Sequence, residues 1–180
     1  MRSAIAWNCW HDSGVTEQPT IQPYRDKPES PTLQFTPYDV RSPQVAKAVA
    51  RLITGRLPSI VVEHIGSTAI PDCHGKGVVD LLIAVETGGF PFPEERPLLQ
   101  GAIDFDGTAF KLHVHVVPPD AEDTHANRRF RDVLRADPKL RDEYLALKRS
   151  ILDDGVTDRV EYTRLKSRFI RRVLRQEHTP

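Results

Sequence analysis

The sequence predicts one α/β domain of the α+β kind: a small mixed β-sheet with helices packed over it and a helical final third. Three observations carry this expectation. Two short apolar runs, SIVVEHI (59–65) and VVDLLIAV (78–85), have the length and β-branched character of strands. An Asp106-Gly107 pair between AIDF (102–105) and TAFKLHVHVV (108–117) marks a hairpin. From about Asn127 to Arg175, apolar residues recur at helical spacing. The 180 residues are one ordinary domain's length, and helices and strands bury their apolar faces as packed layers.

Residues 1–31 stand apart. They hold four prolines and both tryptophans and sustain neither period 2 nor period 3.6. They are expected to be a flexible Pro-rich tail, disordered or draped over a domain that spans 32–176. The first helix is expected over Gln44–Arg56, where Val45, Val49, Leu52 and Ile53 share a face behind a Ser42-Pro43 start signal and Pro58 stops it. The strand at 59–65 breaks sharply at Gly66-Ser67. Residues 68–77, with one proline and two glycines, are a loop or a broken helical turn. VVDLLIAV, apolar but for one carboxylate, has the composition of a central strand buried on both faces, and 86–97 are Pro/Gly-rich loop.

In the hairpin, Asp-Gly tolerates the positive φ of a primed turn. Alternation along the second strand turns Lys111, His113 and His115 to one face and Leu112, Val114 and Val116 to the core. Three helices follow, over 126–135, 138–153 and 159–175. Their core phases are Leu140, Tyr144, Leu147 and Ile151, then Tyr162, Leu165, Phe169, Ile170 and Val173.

Composition excludes several functional classes. Twenty-five Lys+Arg balance twenty-five Asp+Glu, so no global field draws the chain to nucleic acid or anionic lipid. No stretch approaches the roughly 18 apolar residues of a membrane span. Two cysteines are too few for a disulfide framework, which makes a reducing cytoplasm the expected compartment. The balance conceals a gradient: residues 1–127 carry ten basic and sixteen acidic residues, residues 128–180 fifteen and nine. The basic end is either a set of solvated helix faces or a surface where some cations meet phosphate.

Two constellations could carry chemistry. A glycine straight after a strand lets the backbone turn close to a ligand, and the Ser67 hydroxyl with the following N–H groups suits a phosphate. Lys76 lies in the same loop. Asp80, thirteen residues after Ser67 in an apolar strand, calls for a compensating cation, metal or hydrogen bonds. The plain alternative is a surface turn and an aspartate bonded to nearby backbone. His113 and His115, on one strand face, are either a pair of metal ligands or two partly exposed histidines. The Gly107…His113-x-His115 spacing also fits half of a cupin motif, but the glutamate expected some four residues on is absent and the helical end argues against a barrel.

HIGSTAIP (64–71), followed by Lys76 and Val78-Val79-Asp80, resembles the hallmark of the GrpB family. Pro37-Tyr38-Asp39, His113-Val-His115-Val-Val and the helical end FRDVLRADP…YLALK…YTRLKSRFI extend the likeness over roughly residues 33–175. The resemblance implies the nucleotidyltransferase fold of polymerase-β-like enzymes. In it, a Gly-Ser motif holds phosphate, and carboxylates two apart on a strand, with a third nearby, hold two metal ions.

With this resemblance, phosphate or nucleotide contacts are expected from Gly66, Ser67, Thr68 and Lys76, and from His64 unless it orients the loop. They are also expected from Arg131, Lys148 and Lys166, which match basic positions of the family blocks, unless these pair with Asp132, Asp142, Glu143 and Glu161 nearby. The resemblance gives catalysis to Asp80 and Lys76, and a metal to Asp80, His113 and His115. The chain departs from the pattern at Asp72-Cys73-His74-Gly75 and Gly77, and where the loop 86–97 replaces an expected helix. Leu82 stands at the second carboxylate position. One carboxylate with imidazoles suits Zn²⁺ or Mn²⁺ better than Mg²⁺.

Three readings follow. The first is a phosphotransfer enzyme acting on a nucleotide through an altered metal site. The second is a non-catalytic regulatory module for a nucleotide or CoA-like ligand, since the family also occurs fused to dephospho-CoA kinase. The third is a nucleic-acid binder using Arg128, Arg129, Arg131, Lys148, Lys166 and Arg168, which is disfavoured because interleaved exposed aromatics are missing.

Overall fold

The computed structural model describes residues 20–23, 33, 35–85 and 98–176. Five strands form one sheet: β1 (Gln22–Pro23), β2 (Val61–Ile65), β3 (Val78–Ala84), β4 (Leu98–Phe105) and β5 (Thr108–Val117), in the order β1-β4-β5-β3-β2. β3 and β5 run parallel; every other pairing is antiparallel. Four helices complete the fold: α1 (Ser42–Thr54), α2 (Glu122–Ala136), α3 (Pro138–Asp153) and α4 (Arg159–Gln176). The expected mixed sheet with a helical final third is therefore the architecture observed.

The elements have local causes. β4 and β5 meet at Asp106 and Gly107, whose φ values of 50° and 69° are those of a primed turn. Asp137 caps α3 by accepting from Lys139 N and Leu140 N ahead of Pro138, and Asp158 accepts from Glu161 N at the start of α4. α1 begins two residues earlier than its apolar spacing suggests. Ser42 is buried inside its first turn, while Asp39 receives the N–H groups of Arg41 and Ser42. β4 likewise begins four residues before AIDF.

A short piece of the N-terminal segment is also built into the sheet, Gln22 and Pro23 pairing with Ala102 and Gly101. The remainder of the expected tail, and the expected loop 86–97, lie outside the described residues.

Alternation along the strands divides the sheet into two unlike faces. On one, Val79, Leu81, Ile83, Ile103, Phe110, Leu112 and Val114 pack against Val45, Ala46 and Val49 of α1, forming the larger apolar cluster. On the other stand Asp80, His113 and His115, beside a small apolar patch of Ile65, Leu82 and Val117. The C-terminal helices have a cluster of their own, Leu134, Tyr144, Phe169 and Val173. The segment after β2 contributes Ile70 and Cys73 to it, each 1% exposed. Burying a side chain of that size stabilises by about 2 kcal/mol, so residues 66–77 are fastened to the helical layer as well as to the sheet.

Candidate functional site

The site begins where β2 ends. Gly66 adopts φ 72°, ψ −171°, a conformation open essentially only to glycine. A Cβ there would overlap Asp80 Oδ2, so the carboxylate rests on the bare Cα. Ser67–Ala69 then form one 3₁₀ turn. The Thr68 hydroxyl donates to Val78 O at 3.0 Å, and His64 Nε2 lies 3.0 Å from the Thr68 hydroxyl oxygen. With the hydroxyl proton given to Val78, the contact assigns His64 the Nε2–H tautomer. Burial pushes the His64 imidazole down to about 4, with the Arg135 charge acting the same way. His64 and Thr68 thus brace the turn.

Four cations from the helical layer hold the carbonyls of this segment. Arg131 donates to His64 O (3.0 Å), Arg135 to Ala69 O (2.7 Å), Arg141 to Pro71 O (3.4 Å) and Lys148 to His74 O. From the other side, Thr36 and Gly75 exchange backbone hydrogen bonds of 2.6 and 3.1 Å. Gly75 is needed for closeness: a Cβ would stand 2.6 Å from Ser67 Oγ and 4.0 Å from Lys148 Nζ.

Beneath the turn, β3 and β5 align Asp80 with His113. Asp80 Oδ1 lies 3.5 Å from both His113 Nδ1 and His115 Nε2, with 20% and 39% of the respective histidine side chains exposed. Gln100 Nε2 is 3.5 Å from His113 Nε2. Burial works to raise the Asp80 carboxyl, but the polar contacts from His113 and His115 outweigh it and hold it below the usual range. Asp80 is therefore ionised at neutral pH. The carboxylate and imidazoles suit a borderline metal in donor type, yet among the described residues no three His, Cys, Asp or Glu side chains form a group that could hold a metal ion.

Lysines close the other side. Lys76 Nζ and Lys166 Nζ lie 5.2 and 4.4 Å from the ring centroid of Tyr162, which is 3% exposed. Burial, then the charges of Lys76 and Lys148, press the Lys166 amine down to about 8, against a smaller opposite pull from Asp80. Lys148 is 1% exposed, 3.4 Å from Cys73 Sγ and 4.6 Å from the Tyr144 ring centroid. Burial lowers its amine and raises the Cys73 thiol.

The structure thus brings together Gly66, Ser67, Lys76, Asp80, His113, His115, Lys148 and Lys166. Arg131 is turned to its own supports, His64 O, Glu63 (3.6 Å) and Asp132 (2.7 Å). Arg128, considered for nucleic acid, also pairs with Glu63, its Nε at 2.7 Å. Sequence reasoning missed Arg135, Gly75 and the part of Tyr162 that faces the lysines. Tyr162 had a helical phase that marks core, and nothing in a basic helix tells which arginine will meet a carbonyl. No described helix is long and apolar enough to cross a membrane.

Comparison with known proteins shows what the chain is similar to. A UPF0157 protein of Deinococcus radiodurans is 32% identical over 161 residues, covering 81% of this chain and 85% of that one. A UPF0157 protein of Pseudomonas aeruginosa is 31% identical over 163 residues, covering 79% of this chain and 66% of the relative, so the match spans just under two thirds of that relative's length. The glutamate-rich protein GrpB of Alkalihalophilus pseudofirmus is 28% identical over 134 residues, 64% of this chain and 77% of its own. In fold alone, the crystal structure of conserved protein GrpB from Enterococcus faecalis matches with TM-score 0.59 and 18% identity, over 80% of this chain and 99% of that one. The GrpB protein family itself matches over residues 32–100 and 87–176, which takes in the Gly66 turn, the strand of Asp80, the hairpin and all three terminal helices, and the chain belongs to that family.

Proposed function

We propose that this GrpB-family chain binds a nucleotide where residues 66–77, the Asp80 face of the sheet and the C-terminal helices meet, and catalyses phosphoryl or nucleotidyl transfer there. One observation carries the reading: an ionised carboxylate seated on Gly66, with two imidazoles at 3.5 Å on one side and the Ser67 turn and lysines on the other. A turn after a glycine presents N–H groups and a hydroxyl to phosphate. Ammonium groups neutralise the charge that develops on transferring and leaving oxygens.

Asp80, held ionised, serves by orienting the histidines. An imidazole so held takes the proton from the acceptor hydroxyl as its oxygen bonds to phosphorus, while the bond from phosphorus to the leaving phosphate oxygen breaks and that oxygen departs as an anion beside the lysines. His115 is the better placed of the two for an incoming acceptor because more of its side chain is open.

The proposal is tested by incubating the protein with each nucleoside triphosphate and separating products by ion exchange. Turnover is expected, with a loss of at least about 100-fold in Asp80→Asn. Unchanged turnover in that variant overturns the assignment.

A second reading, a binding module that kept the phosphate cradle without the chemistry, is favoured by Leu82. At the position where the resembled enzymes carry a second carboxylate, this side chain is 1% exposed and packed with Ile65 and Val117. A rise in melting temperature with ATP or CoA in the absence of any product would support it.

A further inference from the structure

The lysines allow the ligand to be specified further, on the footing of the phosphate site proposed above. One buried ring, Tyr162, carries the ammonium groups of Lys76 and Lys166 at 5.2 and 4.4 Å from its centroid. Lys148 rises from α3 under the same loop and stands next to the space that Gly75 leaves beside Ser67. The charged and titratable groups acting on Lys166 are Lys76 and Cys73 from the loop, Lys148 from α3 and Asp80 from β3. With the thiol neutral, three ammonium groups face one carboxylate, an excess of two positive charges. A singly charged anion would leave one of them unbalanced beside the buried Lys148, which is costly; a doubly charged one cancels the excess.

We propose that Lys76 and Lys166 on Tyr162, with the charge of the buried Lys148 behind them, form a seat for a phosphomonoester dianion, a terminal phosphate, which it selects over singly charged phosphodiesters, and that the seat takes up a proton as it fills. Mutual repulsion and burial hold the Lys166 amine down to about 8 while the seat is empty. An anion beside these ammonium groups removes the repulsion, so the missing proton returns. Uptake is small at pH 7, near half a proton per ligand at about pH 8 and near one above about pH 9, and affinity falls as pH rises through that range.

Calorimetric titration of the full chain with AMP and with its 3′,5′-cyclic diester, at pH 8 in two buffers of different ionisation enthalpy, tests this. AMP is expected to bind at least about tenfold more tightly than the diester, with heats that differ between buffers by about half a proton. Lys166→Arg should lose the buffer dependence of the AMP heats, because a guanidinium does not release its proton near this pH. Lys76→Gln, at an exposed position, should weaken AMP binding and reduce uptake together. Equal affinity for monoester and diester, buffer-independent heats in the unaltered chain, or uptake surviving in Lys166→Arg would each overturn the inference while leaving the phosphate site in place. Failure of AMP, ADP and ATP alike to bind would remove the proposed function and the inference with it.

Discussion

The two faces of the sheet are made by the same strands, one residue out of step, and they serve opposite ends. Toward α1, β3 and β5 present Val79, Leu81, Ile83, Leu112 and Val114, an unbroken apolar surface closed by a helix. Toward the C-terminal helices the same strands present Asp80, His113 and His115, side chains 20–39% exposed and joined only by contacts of 3.5 Å. The first face stabilises the fold through area removed from water. The second spends little on stability, and contacts that long between partly solvated groups contribute at most about 1 kcal/mol. Ionisable groups placed where they do little to hold the structure are free to act on something else.

Three measurements would break or sharpen that contrast. Leu112→Ala, at 1% exposure on the α1 face, should cost about 3 kcal/mol in urea unfolding and leave nucleotide binding within about twofold, since no ligand-facing group moves. Next in size is an acid effect at the rim of the turn. His64 titrates near 4 in the folded chain against 6.5 when unfolded. The unfolded state therefore binds the extra proton first, and the stability this group contributes is present above pH 6.5 and lost as pH falls toward 4. The expected loss between pH 7 and pH 5 is about 2 kcal/mol, and His64→Gln should flatten that slope. Smallest should be Asp80→Asn, which is expected to change stability by about 1 kcal/mol or less while removing turnover. If Asp80→Asn destabilised as much as Leu112→Ala, the polar face would be structural and the contrast would fail.

Much of the fold was legible because its signals are local. The Asp106-Gly107 turn, the alternation in 108–117 and the three apolar phases after residue 126 each need only a few neighbouring residues, and each formed where expected except that α2 begins four residues earlier, at Glu122. That His113 and His115 share a face was legible from period 2. That their face is the one bearing Asp80 depends on the parallel register of β3 with β5, which no side chain announces. β1 was invisible for a related reason: two residues joined to an edge by backbone bonds leave no pattern.

The basic end was the hardest part. Arg131, Arg135, Arg141 and Lys148 look alike in sequence to Lys166, yet the first four reach backbone carbonyls of the turn segment and Lys166 faces Tyr162. Only the docking of the helices over residues 64–75 separates them.

The burial of Ile70 and Cys73 among the C-terminal helices has a consequence for how the molecule comes apart. A segment of turns between two strands usually opens on its own, well ahead of the rest of the chain. Here it is a shared rivet between two layers, so loosening it means undocking the helices. Its amide protons should exchange with solvent on the slow timescale of whole-molecule opening, and the Gly66 turn should stay shaped until the fold itself gives way.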